Sequence, residues 1–384
     1  MPEYDVVVVG AGVLGSWIAY QFCLGGNKVA LVDAYGPANS RASSGGESRI
    51  IRMSYGRDSI YTRWSKRSLE LWKEFLAETN QLPLFEPTGV LWTVPEGDAR
   101  LQDNVESLRS NGIRFGQLTH QDIVRTFPQI RFCYPMAGVL EPDSGVLLTR
   151  RCVQAVVRRA VSLGVDYYQA VGERPQGKDS ITGLWIGPGR TLNCGVLIYA
   201  CGPWFAKLFP QMLGDCIHAT RQEVFFFGTA PGDLRFSPPA MPVWLDYSDP
   251  RGGYSIPNIE SRGFKLAFDQ HGPAADPDVM DRIVSPESTE NARAFLRERF
   301  PDLASAPLLE SRVCQYENTC NGDFLIDRHP EFENVWFAGG GSGHGFKHGP
   351  AVGEYVRDLV LAKIEPEPRF LLSAKTAARA RTVY

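Results

Sequence analysis

The sequence predicts an α/β domain of the Rossmann type, interrupted by an α+β domain built on a mixed sheet. Three observations predict it. A valine-rich run at residues 5–10 ends in glycine, and is followed by a helical stretch and a second apolar run. Short apolar runs of the same kind return far downstream, at 195–200 and 334–343. Between them the texture changes to short alternating runs parted by turn residues. A chain of 384 residues can bury two cores, so the pattern reads as one domain assembled from separated segments with a second inserted into it.

Residues 5–10 have the unbroken apolar character of a strand buried on both faces. Residues 13–24 are helical and 28–33 form a second strand, which completes one βαβ unit. A glycine- and serine-rich loop, 36–46, precedes a long helix over about 59–78. Beyond Pro83, runs such as Gly89-Val90-Leu91-Trp92-Thr93-Val94 suggest antiparallel pairing. Residues 150–163 carry apolar positions at helical spacing, and 195–200 make a short strand closed by Cys201-Gly202-Pro203. Strand-and-turn texture returns from 222 to about 312, and the last strand, 334–343, runs into glycines before a helix over about 352–363. The implied division gives 1–83, 145–220 and 313–384 to the dinucleotide-binding domain, and 84–144 and 221–312 to the second, substrate-binding domain.

The formal net charge of -3 offers no field for a nucleic-acid partner. A small basic cluster, Lys375, Arg379 and Arg381, reads as a solvated tail. The eight cysteines form no C-x-x-C pair and no regular framework, which fits a reducing compartment. Glu3 and Asp5 stand where a signal sequence would be basic, and no apolar run reaches the ~18 residues of a membrane span. Thr382-Val383-Tyr384 is not a peroxisomal address. The expectation is a cytoplasmic protein with no membrane partner.

Gly10-Ala11-Gly12-Val13-Leu14-Gly15 matches G-x-G-x-x-G between a strand and a helix. Gly10 permits the tight turn, Gly12 lets the backbone approach a pyrophosphate, and Gly15 lets helix and strand pack closely. The helix N-terminus offers N–H groups and partial positive charge to the anion, with Val13 and Leu14 in its first turn. Asp33 closes the next strand, where a carboxylate accepts from ribose hydroxyls and argues against a 2'-phosphate. The motif alone does not separate FAD from NAD.

Two further segments, Gly46-Glu47-Ser48-Arg49-Ile50-Ile51-Arg52 and Gly341-Ser342-Gly343-His344-Gly345-Phe346-Lys347, decide the family. With Cys314-Gln315-Tyr316 and Phe324-Leu325-Ile326-Asp327-Arg328-His329-Pro330, the chain resembles the monomeric sarcosine oxidase family, which includes N-methyltryptophan and pipecolate oxidases. The resemblance runs from Tyr4 to about Lys363. It implies FAD, a two-domain fold of the D-amino-acid oxidase type, a monomer, and oxidation of a C–N bond with O2 as acceptor and hydrogen peroxide as product.

The resemblance also assigns roles. Cys314 matches the point of covalent flavin attachment, an 8α-thioether that only a thiolate can form. Arg52 and Lys347 match a carboxylate-binding pair, a guanidinium fork and an ammonium converging from distant segments. Lys265, in Gly263-Phe264-Lys265-Leu266, matches the lysine that activates oxygen by stabilising superoxide as it forms. Arg49 matches a basic residue near the flavin ring, and His344 lies in the loop that the resemblance expects to border that ring. Tyr254 and Tyr316 match aromatic positions of the substrate cavity. Ser43, Ser44, Val171, Gly202, Gly341, Gly343 and Lys347 complete the implied cofactor contacts.

Three departures from the family pattern leave the substrate open without disturbing the cofactor assignment. Asp269 stands where sarcosine oxidases carry histidine, residues 43–45 replace a histidine-containing loop, and Thr220 replaces an aromatic. A carboxylate at 269 suits a basic or hydroxylated substrate group. The alternatives kept open are an NAD-dependent dehydrogenase, a flavin dehydrogenase using another acceptor, and a catalytically silent flavin-binding subunit.

Overall fold

The computed structural model describes residues 2–375. Arg379 and Arg381 of the basic cluster, and residues 382–384, lie outside them. The valine run forms the strand Tyr4–Val9 in the middle of a seven-stranded sheet. It pairs in parallel with Val29–Asp33 on one side and Thr191–Tyr199 on the other. Val335–Gly339 continues the parallel order beyond Thr191–Tyr199, and Asp166–Gln169 does so beyond Val29–Asp33. Parallel strands with both faces covered explain why these runs are apolar without alternation. Antiparallel Leu325–Arg328 closes one edge, and Gly183–Trp185 pairs with Thr191–Tyr199 off the main path.

Helices cover this sheet closely. Val13–Leu24 lies against Gly349–Val360, where small residues let the backbones meet. A Cβ added at Gly353 would fall 2.8 Å from the Trp17 carbonyl oxygen. The predicted helix Ser59–Glu78 is present and puts Trp72 edge-on to Trp17, with centroids 4.9 Å apart.

The second sheet has eight strands, in the spatial order Leu308–Thr319, Ile217–Phe227, Phe264–Phe268, Gly253–Ile256, Val243–Asp246, Val90–Pro95, Met136–Glu141 and Gly116–Leu118. Its core is aromatic, with Phe264 and Phe300 rings 4.7 Å apart beside Trp244, Phe225 and Phe295. The antiparallel expectation needs one correction: Val90–Pro95 and Val243–Asp246 pair in parallel. A parallel pair needs a crossover rather than a hairpin, and the long segment between the two strands, which visits both sheets, provides it. Ile217–Phe227 and Leu308–Thr319 pair along nearly their whole length and run across the expected divisions at 220/221 and 312/313.

Three helices were concealed by the strand-and-turn texture: Ala99–Ser110, His120–Thr126 and Pro286–Arg299. Each starts at a capping side chain, Asp98, Thr119 and Ser285 respectively. Lys375 also corrects the solvated-tail reading, because it is buried and donates to Asn321 Oδ1 at 3.1 Å and the Arg369 carbonyl at 2.7 Å. No described helix is long and apolar enough to cross a membrane.

Candidate active site

Two cavities share the walls made by Arg49, Tyr316, Gly343 and Phe346. The larger, about 380 Å³, begins at the glycine turn. Gly10 has φ +107°, and a Cβ there would lie 2.3 Å from the Ala200 carbonyl oxygen. One added at Gly15 would lie 1.8 Å from the Gly10 oxygen. Only glycine fits either place. Gly12, Val13 and Leu14 line the cavity, whereas Gly15 packs behind it.

Asp33 also lines this cavity and ties the turn to the end of its strand. Its carboxylate accepts from Ala11 N at 2.7 Å and from Tyr35 N and Gly36 N at 2.8 Å. Burial pushes its pKa up against the pull of those bonds. Ser44 Oγ accepts the Val13 N–H at 3.1 Å, so one donor expected to meet the anion is held by the protein. Ser43, Val171, Gly202 and Gly341 complete the predicted lining.

The wall suits a large polar ligand. Ser43 Oγ, Gln315 Oε1 and Glu317 Oε1 are buried with no hydrogen-bond partner among the described residues, and all three residues line the cavity. Orphaned buried polar atoms of this kind mark a place for ligand atoms or water. Burial pushes the Glu317 carboxyl up to about 7, and nothing in the sequence had singled it out. The volume lies within the roughly 300–1,000 Å³ of cofactor-sized sites.

The smaller cavity, about 80 Å³, gathers every residue expected to act on substrate: Arg49, Arg52, Tyr254, Lys265, Asp269, His344 and Lys347. Arg49 sits at the junction and donates to the Ser48 and Ser43 carbonyls, both at 2.9 Å, and to Cys314 Sγ at 3.2 Å. Burial works against its charge, but Cys314, Tyr254 and Tyr316 outweigh that and raise its pKa. Cys314 opens onto a separate recess of about 20 Å³, shared with Arg49, Lys265 and Phe226.

Lys265 is buried in mid-strand and donates to the Ser48 carbonyl at 2.9 Å. Burial, and then the neighbouring Arg49 charge, hold its pKa well below the usual lysine range. Arg52 donates to the Ser54 carbonyl and to Tyr247 Oη, the latter at 3.1 Å, and lies over the Tyr55 ring. Lys347 reaches the same tyrosine from the far segment, donating to Tyr55 Oη at 2.8 Å and to the His344 carbonyl at 3.0 Å. Lys347 lines only the smaller cavity, away from the cofactor contact expected of it.

Tyr316 donates to Asp269 Oδ1 at 3.3 Å. Burial pushes the Tyr254 phenol up to about 12, with Arg49 pulling the other way. Tyr55, Tyr247 and His348 were missed from sequence. Tyr55 and His348 adjoin the two motifs that carried the resemblance, and that adjacency was the available signal.

Comparison with known proteins agrees with this geometry. Residues 5–359 match the family model described as FAD dependent oxidoreductase, DAO. A monomeric sarcosine oxidase from Bacillus sp. strain B-0618 is 34% identical over 370 residues, covering 94% of this chain and 92% of that protein. An N-methyl-L-tryptophan oxidase from Salmonella arizonae is 28% identical over 366 residues, covering 94% and 95%. The crystal structure of L-proline dehydrogenase from P. horikoshii has the same fold, with a TM-score of 0.84 at 20% identity over 97% of this chain and 98% of that one. A glycine turn that only glycine can form, a cavity of cofactor size and a family match over nearly the full length lead to one conclusion: the chain belongs to the DAO family of FAD-dependent oxidoreductases.

Proposed function

We propose that the protein is an FAD-dependent oxidase of a secondary amino acid, N-methylated or cyclic, or of a related carboxylated amine. The products are an imine and hydrogen peroxide. One observation carries the reading: Arg52 and Lys347, from segments far apart in sequence, line one small cavity with Lys265, beside the cavity of cofactor size. When bound, FAD supplies the two-electron oxidation of the C–N bond and the passage of those electrons to O2.

The chain's own residues supply the rest. Arg52 and Lys347 hold the substrate carboxylate and so fix the amine's orientation. The buried cavity disfavours an ammonium and selects the neutral amine, so no separate general base is needed. Lys265 places a basic nitrogen where oxygen is activated. Arg49 presents positive charge at the junction of the cavities, His344 borders the flavin, and Tyr254 and Tyr316 shape the substrate wall. Gly10, Gly12, Val13, Leu14, Asp33, Ser43, Ser44, Val171, Gly202, Gly341 and Gly343 hold the cofactor. Cys314 is its covalent attachment point, with the Arg49 guanidinium beside its sulfur. The two-part division of the chain, a monomeric state and a cytoplasmic setting belong to the same proposal.

Asp269 sets the substrate apart from sarcosine by pairing with a basic or hydroxylated group. An anaerobic screen of secondary amino acids tests both points. At least one carboxylated amine is expected to bleach the flavin, and air is expected to restore the colour with one peroxide per cycle. Sarcosine is expected to be turned over poorly until Asp269→His is introduced. A flavin that no carboxylated amine bleaches defeats the oxidase reading, and equal sarcosine turnover by both chains defeats the role of Asp269.

Attachment is tested separately. Acid precipitation is expected to leave the yellow colour in the wild-type pellet and to release it from Cys314→Ser. Wild-type colour that stays in the supernatant ends the attachment claim.

A further inference from the structure

Behind the Arg52 and Lys347 pair lies a buried polar cluster in which Tyr55 and His348 have no part in the proposed reaction. Its centre is the Tyr55 hydroxyl, which meets Lys347 Nζ at 2.8 Å, His348 Nε2 at 3.0 Å and His344 Nδ1 at 3.3 Å. All four residues are buried. His344 Nε2 meets the Gly322 carbonyl at 3.1 Å.

Donor and acceptor capacities assign the hydrogens. A carbonyl only accepts, so His344 Nε2 carries hydrogen, and in a neutral ring its Nδ1 is an acceptor. An ammonium only donates, so the Tyr55 oxygen accepts from Lys347. The single phenolic hydrogen then goes to His344 Nδ1, and the remaining lone pair takes an N–H from His348 Nε2. This tautomer leaves His348 Nδ1 bare, and that atom is buried without a hydrogen-bond partner among the described residues.

We infer that His348 is a positioning residue: its Nε2–H locks the Tyr55 hydroxyl, which in turn aims the Lys347 ammonium at the substrate carboxylate. His348 lines neither of the two cavities. Burial, and then the Lys347 charge, push the His348 pKa well below the usual range. The neutral donor tautomer is therefore the working form at neutral pH. Removing the donor takes one hydrogen bond from the buried phenolic oxygen and loosens its hold on Lys347.

The inference rests on reading Arg52 and Lys347 as a carboxylate clamp. The test titrates butanoate, a carboxylate without an amine, into the flavin-loaded enzyme by calorimetry. His348→Leu is expected to weaken butanoate about tenfold, and His348→Gln, which keeps an N–H at the Nε2 position, to restore most of it. With the amine found in the anaerobic screen, His348→Leu is expected to raise KM by a similar factor and change kcat little. A His348→Leu chain that binds butanoate like wild type, beside a Lys347→Met chain that binds it weakly, overturns the role of His348 alone. If Lys347→Met binds normally, the clamp reading fails and the inference with it. Should His348→Leu not fold, Tyr55→Phe decides: it is expected to lose the same factor, and wild-type affinity there overturns the proposal.

Discussion

Lys265 shows how burial turns a common side chain into a specialised one. In mid-strand, beside Arg49 and bonded to the Ser48 carbonyl, it bears a desolvation cost that an exposed lysine avoids. Its folded pKa lies below the unfolded value of about 10.4, so between the two the unfolded chain binds more protons and stability rises with pH. Lys265→Met removes the cost. The variant is expected to melt above wild type at neutral pH, with the gap closing as pH climbs toward about 10.4. The same variant is expected to keep anaerobic reduction by substrate while flavin reoxidation by O2 slows at least about tenfold, the weight of roughly 1.4 kcal/mol of lost transition-state stabilisation. Thermal unfolding across that pH range and stopped-flow mixing with oxygen read the two effects. A variant that reoxidises at the wild-type rate removes Lys265 from the oxygen step.

Among the elements, those at the front of the chain were legible because one motif constrains strand, turn and helix together. The strand Tyr4–Val9, the helix Val13–Leu24 and the strand Val29–Asp33 lie within a residue of where periodicity and glycine spacing put them. Gly15 makes that legibility testable. A methyl group there meets the Gly10 oxygen at 1.8 Å, backbone against backbone, with no flexible side chain to yield. Gly15→Ala is expected to lose FAD binding and at least about 2 kcal/mol of stability, measured by flavin content and denaturant midpoint; a fully loaded, equally stable variant overturns the packing argument. The helix Pro286–Arg299 was misread although Ser285-Pro286 is a start signal, a capping serine followed by proline in the first turn. Its apolar positions face an aromatic cluster through few residues, so the helical period is faint. The parallel pairing of Val90–Pro95 with Val243–Asp246 was illegible for another reason. Register between strands some 150 residues apart is set by packing that no local window contains. At the site, residues inside motifs were legible, but Tyr55, Tyr247, His348 and Glu317 acquire their roles only from what folding places against them.

Across the whole molecule, the chain interleaves its two large sheets. After Val29–Asp33 it leaves for Val90–Pro95, returns at Asp166–Gln169, and leaves again along Ile217–Phe227 before ending at Val335–Gly339. Neither sheet is built from one continuous segment, so neither core closes without the other's connections. The smaller cavity makes the dependence functional, because Lys265 and Tyr254 come from the eight-stranded sheet while Lys347 follows the last strand of the seven-stranded one. A ligand held across these elements stabilises the folded form of both. Unfolding of the flavin-loaded protein is therefore expected to be one transition, with flavin fluorescence, tryptophan fluorescence and far-ultraviolet dichroism sharing a midpoint. Arg299 and Asp246 offer a probe outside the larger, cofactor-sized cavity, with Asp246 on the wall of the smaller one. They form a buried pair at 2.9 Å within the second core. Arg299→Met leaves the Asp246 carboxylate without that partner, and breaking a buried pair on one side costs roughly 3–5 kcal/mol. If the sheets fold as one unit, that loss lowers the flavin-reported midpoint as much as the tryptophan-reported one. A tryptophan transition that splits, with only the part from Trp92 and Trp244 displaced, would show sheets that fold independently and meet only at the ligand.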